Sequence, residues 1–241
     1  GDIGPLAGMP VMEGKAMLME TLVGLSGVPI LLDTKDPDRI VDTLAAIAPT
    51  FGAIQLEDIS APRCFEIETR LQERLDIPVM HDDQHGTAVV SLAALTVACR
   101  YAGVELNQVQ VGQIGLGAAG LAISKMLMTL TSQPVLGADL SPAALERLQL
   151  AGGTPSTLKE IMANADVVIA TTGASGLIRP EMVRKGQIIL ALSNPNPEIE
   201  PEDALAAGAA FAADGKSVNN VLGFPGILRG AIDANVPRIS H

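Results

Sequence analysis

The 241-residue sequence has no tryptophan, one tyrosine and four phenylalanines. Its core must therefore be built from Val, Ile, Leu, Ala and Met, the residues of helix-covered parallel sheets. It also has little basic charge. Sixteen Lys and Arg stand against 27 Asp and Glu, a net charge of −11. Phosphate backbones require a basic face, so a nucleic-acid partner is excluded. The two cysteines, Cys64 and Cys99, are far apart and form no CxxC or CxxH pattern. They read as reduced, buried thiols of a cytoplasmic protein. No apolar run approaches the roughly 20 residues of a membrane span. The first residues, Gly-Asp-Ile-Gly-Pro, carry neither a basic n-region nor an apolar h-region. They lack an initiator Met as well, so the sequence reads as part of a longer one.

Against these absences stands a regular alternation of helices and short apolar strands. Helical spacing covers 14–25, 37–47 and 62–75. Strands are expected at 28–33, 53–58 and 77–83, the last two ending in the acid pairs Glu57-Asp58 and Asp82-Asp83. This rhythm calls for right-handed crossovers and a parallel sheet. The carboxyl ends of parallel strands line the ligand crevice, so both acid pairs should meet at one rim. A long apolar helix over 87–101 leads into a second α/β region, with strands at 107–115, 135–139, 165–170 and 187–191 and a closing helix at 225–234. The expected organisation is α/β throughout. Residues 1–84 form a metal and substrate region with parallel strands, and 85–241 a Rossmann-type nucleotide-binding domain.

Two groups of residues carry chemistry. Gly115-x-Gly117-x-x-Gly120 lies between a strand and a helix, and Asp139 ends the next strand about 20 residues on. The glycines, with Ala118 and Ala119 at the helix start, would bring backbone N–H groups to a pyrophosphate. Asp139 would accept from the ribose hydroxyls and repel a 2′-phosphate, which favours NAD over NADP; Arg147 on the following helix is the residue that could reverse this. Glu57, Asp58, Asp82 and Asp83 are hard oxygen donors suited to Mg²⁺ or Mn²⁺. His81 and His85 beside them leave a zinc site as an alternative. Asn194, in Ser-Asn-Pro-Asn-Pro, and Asn219-Asn220 lie in loops after strands. Such asparagines are turn formers or, at strand ends, donors to a substrate or nicotinamide ribose.

The stretches GDIGPLAGMPVMEGKA, QLEDISAPRCFEIE, IPVMHDDQHGTAVV, GLGAAG, ADVVIATTG, LSNPNPE and VNNVLGFPGILRGA, in this order, resemble the malic enzymes of the shorter bacterial type. The resemblance implies oxidative decarboxylation of malate to pyruvate and CO₂ with reduction of NAD(P), dependent on a divalent metal, in a homo-oligomer such as a dimer. It implies that Lys15 is the general base and that Asp82 is the carboxylate in contact with it. Glu57, Asp58 and Asp83 would be the metal ligands, and Asn194 with Asn219 or Asn220 would bind substrate. Malolactic enzymes, which release lactate, share these motifs, and an inactive nucleotide-binding fragment is the third reading. The family's catalytic Tyr and a substrate Arg lie upstream of the GDIG motif, and Tyr101 matches neither the motif nor the role. The helices after VLGFPG look truncated, and the loop between Gly215 and Asn219 looks shorter than in relatives.

Overall fold

The computed structural model describes residues 3–239. These divide into two compact units. One runs through Gly86 and resumes at Asn220; the other is Thr87–Asn219. A single boundary at 84/85 therefore misses one feature. The closing segment groups with the first unit, because the apolar face of its helix packs there through Phe224 and Leu228 against Met80.

In the first unit, helix α1 (Pro5–Val23) starts nine residues earlier than the periodicity suggests. Pro5 sits at its first turn, where a missing N–H costs nothing, and the helix ends on Gly24 in the left-handed conformation. The expected strand over 28–33 does not form. Its residues find no strand partner among the described residues, and just before it the backbone comes close to α1: a Cβ at Gly27 would be 2.7 Å from Ala16 Cα. Helix α2 (Pro37–Ile47) is capped by the Asp36 side chain, which accepts from the Asp38 N–H. Strand β1 (Ile54–Leu56), helix α3 (Arg63–Arg74) and strand β2 (Val79–His81) follow. Strands β1 and β2 pair in parallel with Leu56 opposite His81. Ile40, Val41, Ile54, Ile67, Leu71 and Val79 form the core between helices and strands.

Helix α4 (Asp82–Ala102) begins directly after β2, so Asp82 and Asp83 are its first turn rather than the tail of a strand. Acidic residues are favoured there by the positive end of the helix dipole. The second unit continues with β3 (Val111–Ile114), α5 (Ala118–Thr131), β4 (Leu136–Ala138), α6 (Pro142–Leu150), β5 (Thr154–Pro155), α7 (Leu158–Asn164), β6 (Val167–Ala170), β7 (Ile188–Ala191), α8 (Pro201–Ala206) and β8 (Phe211–Asp214). Helix α9 (Phe224–Asp233) closes the first unit. The six strands are all parallel in the order β5-β4-β3-β6-β7-β8, the doubly wound Rossmann arrangement. Central strands β6 and β7, Val-Val-Ile-Ala and Ile-Ile-Leu-Ala, are buried on both faces. Among the described residues no helix is long and apolar enough to cross a membrane.

The turn from β3 into α5 depends on contact distance. A Cβ on Gly120 would lie 1.9 Å from the Gly115 carbonyl oxygen, a backbone atom that cannot swing aside. Gly120→Ala is expected to push α5 off the sheet and cost about 1–3 kcal/mol, as overpacking does. Urea denaturation monitored by circular dichroism measures this, and an unchanged midpoint would contradict the packing.

Candidate functional site

The first site follows from one register. Because Leu56 faces His81 in a parallel pair, Glu57 and Asp82 leave the sheet at the same rim, followed by Asp58 and Asp83. Asp58 turns back through φ 55°, and its N–H donates to Asp83 Oδ2 at 3.1 Å. Carboxylate oxygens of Glu57, Asp58 and Asp83 lie within 4.8 Å of one another. From α1, Lys15 places Nζ 2.8 Å from Glu57 Oε2 and against Asp82 Oδ2, with the ring centroid of buried Phe224 4.6 Å away. The Lys15 side chain is 13% exposed, that of Asp82 fully buried. Gly86 makes room for this: a Cβ there would stand 1.8 Å from Asp82 Oδ1.

The charges do not balance. Burial alone would lower the pKa of the Lys15 ammonium, but Glu57 and Asp82 outweigh it and hold the proton on more tightly than usual. Glu57 is pushed up to about 7 by burial, with Asp83 and Asp82 adding to the rise against the pull of Lys15. Burial also raises Asp82 despite its lysine. One ammonium faces more carboxylate than it can neutralise, and Asp82 Oδ1 is buried without a hydrogen-bond partner. A hard divalent cation fits such a donor set. Of the histidines of the zinc alternative, His81 is fully buried with Nδ1 3.1 Å from Gln84 Nε2 and Nε2 3.4 Å from Asp83 Oδ2, and His85 Nε2 lies 3.0 Å from Glu68. A cavity of about 610 Å³ in this unit has Lys15, Glu57, Asp58 and Arg63 in its wall. Asn220 also belongs here, its Cβ 3.3 Å from where a Gly86 Cβ would be.

The second site lies at the carboxyl ends of β3 and β6, where strand order reverses. Gly115 has φ +86°, and a Cβ on it would meet the Thr171 carbonyl at 2.7 Å; at Gly117 nothing lies within 4 Å, so the backbone is open to a ligand. Ala118, Ala119 and Gly120 form the first turn of α5. Asp139 accepts from Leu116 N–H at 2.7 Å through Oδ2 and from Ser141 N–H at 2.8 Å through Oδ1, so it braces the glycine turn itself. Asn194 Nδ2 donates to the Gly215 carbonyl at 3.1 Å, tying the loop after β7 to the loop after β8. Asn219 lies in this unit and Asn220 in the other. Tyr101 is 75% exposed, its ring edge-on to Phe211 at 6.0 Å.

Several supporting residues carry little or no signal in the sequence. Gln113, buried in β3, donates to the Gly115 carbonyl and to Thr171 Oγ1. Glu198, also buried, accepts from the Thr172 N–H and hydroxyl and from Ser193 Oγ, which clamps the loops after β6 and β7 together. A Glu inside a Pro-rich loop reads as surface charge, and only the fold reveals its burial. Glu68 is hidden among the surface acids of α3 in the same way. For Phe224 the scarcity of aromatics was the available signal.

Comparison with known proteins agrees with this geometry. Residues 1–72 match the family model "Malic enzyme, N-terminal domain". The whole chain aligns with NAD-dependent malic enzyme 1 of Bacillus subtilis at 62% identity, covering 55% of that protein, and with the bifunctional malic/malolactic enzyme of the same organism at 44%, covering 64%. The chain thus spans about half to two thirds of these relatives' lengths. The crystal structure of the NAD-dependent malic enzyme from Thermotoga maritima superimposes with a TM-score of 0.91 at 38% identity, over all of this chain and 69% of that one. A likeness that runs end to end through both the acid rim and the glycine turn has one meaning: this chain belongs to the malic enzyme family.

Proposed function

We propose that this chain carries the base, the metal-binding acids and the dinucleotide-binding fold of an enzyme that oxidises (S)-malate and decarboxylates it to pyruvate and CO₂ while reducing NAD. The observation that carries the reading is the Lys15 ammonium held between Glu57 and Asp82 beside surplus carboxylates. Glu57, Asp58 and Asp83 would hold Mg²⁺ or Mn²⁺, and Gly115, Gly117, Ala118, Ala119 and Gly120 would receive the cofactor's pyrophosphate. When bound, the ion would polarise the C2 oxygen and stabilise the enolate left by CO₂ loss, and the nicotinamide would accept the C2 hydride.

The chain's own residues do the rest. Lys15 is the base only as a neutral amine: a bound cation beside it would oppose the carboxylates that otherwise keep Nζ protonated, and once that proton has left for solvent Nζ takes the C2 hydroxyl proton. Asp82, rigid at the start of α4, and the Phe224 ring fix where that atom points. Asn194, Asn219 and Asn220 supply amides for substrate or nicotinamide ribose. The identity to a relative named for malic activity alone exceeds that to the bifunctional malic/malolactic one, which supports pyruvate rather than lactate as product. Exposed Leu6, Met17 and Leu22 on α1 support a homo-oligomer, a dimer being the simplest. Cys64 and Cys99, both free and buried, support a reducing, cytoplasmic setting.

In the full-length protein, Lys15→Ala should lower kcat by about 10²- to 10⁴-fold, as loss of a general base does. Mn²⁺ affinity should stay level or rise, because the competing ammonium is gone. Steady-state rates with product analysis and calorimetry check this; turnover that survives the substitution would rule Lys15 out as the base, and lactate as product would favour the malolactic reading.

NAD should bind more tightly than NADP by at least several-fold, since unit charges about 4 Å apart repel by ~1 kcal/mol even in water. Asp139→Ser should shrink that preference and weaken NAD as well, because the Leu116 N–H loses its acceptor. Titration of both cofactors measures this. Tighter NADP binding by the parent would overturn the role given to Asp139.

A further inference from the structure

Behind the acid rim lies a buried polar relay that the proposed mechanism does not use. Glu68, on the inward face of α3, accepts the His81 N–H at 2.7 Å through Oε1, and Gln84 Nε2 at 3.0 Å and His85 Nε2 at 3.0 Å through Oε2. Gln84 Nε2 also lies 3.1 Å from His81 Nδ1. On the far side of the same imidazole, His81 Nε2 faces Asp83 Oδ2 at 3.4 Å, without hydrogen-bond geometry, and has no hydrogen-bond partner. Glu68 is 6% exposed and His81 fully buried, so water cannot substitute for these contacts.

The donor and acceptor roles follow by elimination. A carboxylate only accepts, so Gln84 must turn its amide nitrogen, not its oxygen, to Glu68. The second hydrogen of that nitrogen then points at His81 Nδ1, which must offer a lone pair. A neutral imidazole with Nδ1 bare carries its proton on Nε2, and that N–H faces Asp83.

We propose that Glu68, acting through Gln84, locks His81 in the Nε2–H tautomer and thereby positions Asp83 for a divalent cation. The inference rests on the reading of Asp83 as a metal ligand given above. Glu68, Gln84 and His81 are positioning residues: they touch a ligand's carboxylate or one another and not the reacting atoms. Such outer partners typically alter metal affinity by about 10- to 100-fold.

The alternative is that Glu68 only ties α3 to the β2–α4 junction through the His81 N–H. Two substitutions in the full chain separate the cases. Glu68→Gln turns a nitrogen toward Gln84, which must answer with its oxygen; that oxygen then calls for a proton on His81 Nδ1 and inverts the tautomer. Gln84→Met leaves the Glu68 bond to the His81 N–H in place and removes only the relay. The tautomer is read by long-range ¹H–¹⁵N NMR of metal-free, ¹⁵N-histidine-labelled protein, which holds three histidines. Mn²⁺ affinity is read by calorimetry, with Asp83→Ala as control.

The parent should show a protonated Nε2 and a bare Nδ1 on His81. Glu68→Gln should invert this pattern and Gln84→Met should mix it, each with Mn²⁺ binding weakened about tenfold or more. A parent with its proton on Nδ1, or variants that change tautomer yet bind Mn²⁺ as tightly as the parent, would overturn the relay and leave the metal reading standing. A parent that binds no Mn²⁺, or binds it equally well as Asp83→Ala, would overturn the metal reading and with it the purpose given to His81. If Glu68→Gln fails to fold, Gln84→Met decides.

Discussion

The first unit is organised around one ammonium that cannot satisfy the carboxylates around it. Lys15 reaches Glu57 and Asp82 at once, while Asp58 and Asp83 stand within the same few ångströms. Uncompensated charge in a buried place is costly, and the rise of Glu57 to about 7 is one expression of that cost. Nearby features serve to hold this arrangement. The β1–β2 register delivers both acid pairs to one edge, Gly86 leaves space for Asp82, Phe224 supports the lysine head, and Glu68 anchors the junction from behind.

The second unit solves a different problem by the same economy of space. Its glycine turn brings backbone donors to the carboxyl ends of parallel strands. Each glycine answers a separate need: positive φ at Gly115, an open approach at Gly117, contact packing at Gly120. The turn is held from three sides by Gln113 in β3, Thr171 after β6 and Asp139 after β4. Asp139 therefore has two tasks, since the carboxylate proposed to meet a ribose also braces the loop that would meet the pyrophosphate. Glu198 extends this bracing to the loop that carries Asn194.

Most of this was legible in the sequence where a local rule decides the outcome. Buried runs such as Val-Val-Ile-Ala and Ile-Ile-Leu-Ala form central strands, and the spacing of Gly115, Gly117 and Gly120 marks the tight turn from β3 into α5. Rules that depend on partners were less visible. Residues 28–33 have a strand's composition but no neighbouring edge to pair with. Asp82 and Asp83 look like a strand's tail, yet the backbone turns helical one residue after His81. Strands β5 and β8 escaped because two residues, or Phe-Ala-Ala-Asp, carry no period. The return of α9 to the first unit is a matter of tertiary packing, decided by where Phe224 and Leu228 find apolar cover. The relay behind Asp83 was out of reach for the same reason, because Glu68 and His81 lie thirteen residues apart and meet only when α3 packs on β2.

If surplus carboxylate is the constraint on which the first unit depends, stability itself should report it. The thermal midpoint of the full chain, followed across a Mn²⁺ titration beside Asp83→Asn, reads this directly. The parent's midpoint should rise with Mn²⁺, corresponding to about 2.7 kcal/mol at a hundred times the dissociation constant. Asp83→Asn should lose most of the response. A parent indifferent to Mn²⁺, or an Asp83→Asn chain that responds as fully as the parent, would contradict the account.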